Sequence, residues 1–148
     1  MRRAISAAYY AFFHLLTAES TFFVVGGSST SLSLRQALVR AFQHRQMKEV
    51  CKWFARGTGF LPDYIKSLPQ ARVVPPELQS MAQTFIDLQE MRHLADYSLA
   101  ATFVRADALR AVTMADAVFL DWSRIRRHGA ARLFLLLLLA GDGLRPRA

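Results

Sequence analysis

The chain is predicted to be all-α, a bundle of four to five helices, on three observations. Apolar residues recur every three or four positions over several long stretches, the spacing of a helix with one face in a core. No stretch alternates apolar and polar residues with the period of a strand, and no internal repeat stands out. Paired glycines and prolines fall between the periodic stretches and punctuate them. At 148 residues the chain is read as a single domain over 1–148, with 129–148 as a docked C-terminal helix and tail.

The first helix follows from Ile5, Ala8, Tyr9, Phe12, Phe13 and Leu16, which share one face, and continues through Phe22 and Val25 until Gly26-Gly27 ends it. Ala4, Ala7 and Ala11 offer a second side for close approach of another backbone, and Arg3, Ser6, Tyr10 and His14 gather the polar groups on a third. Ser33 is the expected N-cap of the next helix. Leu34, Ala37, Leu38, Ala41 and Phe42 are out of phase with Met47, Val50, Cys51 and Phe54, so two helices, or one bent helix, are expected with a break around 43–46. Arg45, Lys48, Lys52 and Arg56 run down one side of the second as a basic edge, a candidate nucleic-acid contact or an ordinary solvated face.

Gly57-Thr58-Gly59 stops that helix, and Phe60 to Val74 is expected to be a loop with one helical turn. Pro75-Pro76-Glu77 opens the next helix, because proline lacks the donor that a first turn cannot use and Glu suits the dipole. Its apolar stripe runs through Leu78, Met81, Ala82, Phe85 and Leu88 and then lands on Arg92, a guanidinium where a core residue is due. Asp96 lies one turn on, a partner for it. After a short connection, Leu109, Val112, Ala115, Val118, Phe119, Trp122 and Ile125 define a long helix ending in Arg124, Arg126 and Arg127. Gly129 is expected to break it. The run Leu133 to Ala140 is far shorter than the roughly 20 apolar residues a bilayer needs, so it reads as a final helix docked on the bundle or between subunits, with no membrane span.

Composition narrows the chemistry. The excess of 19 Lys and Arg over 11 Asp and Glu, a net +8, favours an anionic partner such as RNA, DNA or a nucleotide. One cysteine, Cys51, has no thiol partner for a disulfide or a zinc site, which suits a reducing cytoplasm and implies neither a metal nor a cofactor. His-Glu-x-x-His, Gly-x-Ser-x-Gly and phosphate-loop motifs are all missing. The acid–base candidates are therefore the histidines: His14, His93, and His44 and His128, each four positions after an arginine (Arg40 and Arg124). Arg92, Asp96 and Tyr97, with Tyr10 and His14 from the first helix, form the sharpest candidate ligand site. The candidate catalytic residues are His14, Arg92 and His93. A buried guanidinium must be paired, and either its groups only tie two helices together or its planar donors remain open to a phosphate.

Arg2 to His14, with Tyr9-Tyr10-Ala11-Phe12-Phe13-His14 at its end, together with Arg92-His93-Leu94-Ala95-Asp96-Tyr97, resembles the HEPN superfamily of prokaryotic helical domains. It is most similar to the branch with a Tyr-Tyr-Ala-x-Phe-His helix and a later Arg-x-x-Ala-Asp-Tyr, over roughly Arg2 to Ile125. The resemblance implies a bundle of four or five helices, a homodimer, and one of two activities. These are metal-independent ribonuclease action, in toxins paired with a minimal nucleotidyltransferase, or non-catalytic binding of RNA or nucleotide. Catalytic members place a histidine five to seven positions after an arginine; Tyr97 to Leu99 fill that window after Arg92 and none is histidine. A phenol is a weak base at neutral pH, so binding without cleavage is the expectation. Family members also carry a helix ahead of the Tyr-Tyr motif, which would here lie before Met1.

Overall fold

The computed structural model describes residues 1–147, the side chain of Thr30 excepted. Seven α-helices and no strand occur among them: α1 (Arg2–Val25), α2 (Leu32–Val39), α3 (His44–Ala55), α4 (Asp63–Lys66), α5 (Pro76–Tyr97), α6 (Arg105–Ile125) and α7 (Gly129–Ala140). The five long ones make the all-α bundle, and α2 and α4 are short links. No described helix is long and apolar enough to cross a membrane.

α1 is the central member, packed against α2, α5, α6 and α7, while α3 lies across α5 and α7. Its expected stripe is buried, with Ile5, Tyr9, Phe12 and Leu16 fully inside, and the core face extends through Thr17, Ser20 and Thr21. Small hydroxyl residues serve there because each finds an acceptor on a carbonyl, Ser20 on Leu135 of α7 at 3.3 Å and Thr17 on His14 at 3.2 Å. Ala7 and Ala11 instead face water. α1 and α5 run antiparallel, since Arg2 meets the C-terminal end of α5 and Phe12 meets Phe85 farther back.

Several boundaries differ from the sequence expectation. α2 starts at Leu32, so Ser33 lies inside it; the preceding residue, Ser31, uses its hydroxyl on the Gly26 and Ser28 carbonyls to close the turn after α1. The helix break falls at 40–43, ahead of His44, so Arg40 lies in the break and shares no helix face with His44. On α6 the buried face is Ala108, Ala111, Ala115, Val118, Trp122 and Ile125, whereas Leu109, Val112 and Phe119 are exposed. The residues turned toward α1 and α5 are alanines in the first half of α6 and Val118, Trp122 and Ile125 in the second. Gly129 begins α7 instead of merely ending α6, and His128 caps it, accepting the Ala130 N–H on Nδ1 at 3.0 Å. His128 therefore shares no helix face with Arg124.

The leucine-rich α7 is docked within this chain. Leu133, Phe134, Leu137 and Leu138 are buried, and Phe134 meets Phe54 of α3 edge to face at 5.0 Å. Gln46 of α3 donates to the Leu138 and Leu139 carbonyls at its open end. The chain turns there through Gly141 at φ 52°, where a side chain would collide with the Gln46 amide.

Candidate ligand-binding site around Arg92

The site forms where α1, α3 and α5 meet. On α5, Leu88 and Ala95 are in the core, and Arg92 between them is drawn inward with them, leaving its side chain 14% exposed. Its Nε donates to Asp96 Oδ2 at 3.0 Å, and Asp96 takes a second bond on Oδ1 from the Ser6 hydroxyl of α1 at 2.6 Å. The carboxylate is thus a bracket that holds the guanidinium and joins two helices. Rings flank the cation: its carbon lies 5.4 Å from the centre of Tyr9, 5.2 Å from Tyr10 and 5.9 Å from Tyr97. No described acceptor takes a hydrogen bond from either terminal nitrogen of Arg92. Two donors in a fixed fork suit a phosphate or a carboxylate.

α3 adds a residue that the sequence placed in a helix break. His44 opens α3, stacks on Phe13 with centroids 4.5 Å apart, and meets the Tyr9 hydroxyl at 2.5 Å through Nδ1. Burial holds the imidazole below its usual pKa, and the neighbouring Arg92 charge pushes the same way. The Tyr9 phenol is pushed well above its usual value by burial, against a smaller opposing effect from Arg92. Both groups are therefore neutral near pH 7 and share one hydrogen bond between the phenol oxygen and Nδ1. Gln89 of α5 fastens the same corner by donating to the His44 carbonyl at 3.3 Å.

The other expected residues distribute unevenly. Tyr10, Asp96 and Tyr97 gather at Arg92 as the spacing suggested. His14 is exposed, in edge contact with the Phe13 ring and tilted against Tyr10, and without a bond to Arg92. His93 faces outward, tilts on Tyr97 at 5.0 Å, and lines a cavity of about 640 Å³ with His44, Arg45, Lys48 and Gln89. Along the basic edge, Lys48 pairs with Glu90 at 3.4 Å, Lys52 with Glu49 at 3.0 Å, and Arg56 covers the Phe60 ring. Arg45 alone of the four makes no hydrogen bond, ion pair or ring contact with a described residue. No group of three or more His, Cys, Asp or Glu side chains suited to a metal ion occurs among the described residues.

Ser6, Tyr9 and His44 are the members that the sequence does not tie to Arg92. Ser6 shares a helical line with Tyr10, a signal that was legible; Tyr9 read as core, which it also is. Nothing in the local sequence tied His44 to Tyr9, because that contact depends on how α3 crosses α5. Arg2 was a further omission: its Nη1 donates to the Ala95 and Ser98 carbonyls at 2.6 and 2.8 Å and its Nη2 to Ala101 at 2.5 Å, closing the end of α5 beneath the site. No protein family, curated protein or solved structure is matched by this chain.

Proposed function

We propose that this chain is a HEPN-like domain that binds RNA or a nucleotide through phosphate without cleaving it, as an accessory or toxin–antitoxin-type component. The observation that carries this reading is Arg92: a guanidinium held mostly out of water, oriented by one bond to Asp96, with its terminal donors left over. An arginine serving only to tie helices would spend those donors on protein oxygens, as Arg2 does. The net charge of +8 supports an anionic ligand.

The test is retention of labelled RNA and of adenosine monophosphate by the purified protein over a salt series. Salt-sensitive binding that Arg92→Ala abolishes supports the reading, and binding unchanged by that substitution overturns it. A purely structural role predicts a lower melting temperature for Arg92→Ala with no ligand lost.

A second reading, endoribonuclease action, is favoured by one observation: His44, bonded to the Tyr9 hydroxyl, lines a cavity with His93 and Arg45, and burial first and the Arg92 charge second keep its imidazole neutral. An imidazole whose Nδ1–H donates to the Tyr9 hydroxyl keeps Nε2 open to take a proton from a 2′-hydroxyl. Cleavage of RNA lost in His44→Ala would select it over simple binding.

A further inference from the structure

Two cavities flank the first turns of α3. One, of about 640 Å³, lies toward α5 and has His44, His93 and Gln89 in its walls; the other, of about 520 Å³, lies toward the turn after α7 and has Trp53, Gln46 and Arg145 in its walls. Both are within the size range of small-molecule sites. Arg45 lines both, and it is the basic side chain at this junction with no described partner; Lys48 is paired with Glu90 and Arg145 with Asp142. Each cavity also offers a flat ring: the imidazoles in the first, the half-buried Trp53 indole in the second. In the first, Gln89 spends its amide nitrogen on the His44 carbonyl and keeps Oε1 without a donor.

The geometry points to a track for single-stranded RNA across the start of α3, with one base in the cavity of His44 and His93, another against Trp53, and the linking phosphates on Arg45. This rests on the proposed phosphate-binding reading and names the form of its ligand. Base stacking on aromatic rings with an arginine on the backbone is how single strands are held without sequence readout. A helix is about 10 Å across, a distance that two or three nucleotides of an extended strand span. A duplex does not fit, because its bases stay stacked inside and leave nothing to enter either cavity.

Fluorescence tests the track directly. The chain has two tryptophans, and Trp122 is 4% exposed, so quenching by added oligonucleotide reports on Trp53. An adenylate hexamer is expected to quench the emission and to bind roughly tenfold more tightly than a 12-base-pair RNA duplex or adenosine monophosphate. Arg45→Ala should weaken the hexamer roughly tenfold. Trp53→Phe, which keeps a ring in the core, should remove the quenching and retain folding by circular dichroism. Hexamer binding that needs Arg92, leaves Trp53 emission unchanged and is matched by the duplex overturns the track and leaves the phosphate reading standing. If no RNA or nucleotide binds at low salt, both are overturned.

Discussion

The Tyr9 hydroxyl and His44 Nδ1, from α1 and the first residue of α3, meet at 2.5 Å. Burial of the imidazole, with the Arg92 charge beside it, ties the junction of the two helices to pH. The imidazole pKa lies below 6.5 in the folded protein, through burial first and Arg92 second, whereas the unfolded chain titrates near the ordinary value. Above about 6.5 neither state is charged and the group has no net pH effect; as pH falls through that value the unfolded chain takes up the proton first and folding loses ground. Wild type is therefore expected to lose stability relative to His44→Gln between pH 7 and 5, measured as the difference between their urea unfolding free energies. A difference that stays flat contradicts a neutral His44.

Asp96 and Arg92 should respond unequally to truncation. Asp96→Ala strands a guanidinium that is only 14% exposed, whereas Arg92→Ala leaves a carboxylate that is 31% exposed and still bonded to Ser6. Breaking such a pair costs most where the remaining charge is less solvated. Asp96→Ala is expected to lose about 2 kcal/mol and Arg92→Ala about 1 kcal/mol, read by thermal or chemical denaturation.

Arg2 closes the α5–α6 connection. Its two terminal nitrogens serve carbonyls of Ala95, Ser98 and Ala101 and its guanidinium covers Phe103, an arrangement that a lysine point charge cannot reproduce. Arg2→Lys is expected to destabilise by about 1 kcal/mol, with faster amide exchange localised to Ser98 through Val104.

Cys51 is fully buried in the face of α3 that meets the core, and burial drives its thiol pKa well above normal. The reactive thiolate is therefore scarce and shielded. A thiol reagent at pH 8 should leave the native protein unlabelled and modify one thiol per chain in denaturant; fast labelling under native conditions would show that α3 opens locally.

Much of the bundle was readable because periodicity reports burial directly. The stripe on α1, the proline start of α5 and the inward turn of Arg92 all follow from helical spacing. On α6, Ala115, Val118, Trp122 and Ile125 face the core as their spacing suggests, whereas the large residues Leu109, Val112 and Phe119 lie exposed and Ala108 and Ala111 take the inner positions. Arg124 and His128 likewise looked like one face until the helix ended between them, leaving His128 to cap α7.

Sequence alone determined that the chain is helical, where its long helices begin and end to within a few residues, and that Arg92 and Asp96 share a line. Those are local properties, set by spacing of at most a turn or two along one element. Only the tertiary structure decided what surrounds that pair. Ser6, Tyr9 and His44 reach it from other helices, and their approach depends on how α3 crosses α5 against α1, a packing choice that no single stretch encodes. The unspent donors of Arg92 belong to that second kind of fact: which hydrogen bonds remain unmade is known only once every neighbour has been placed.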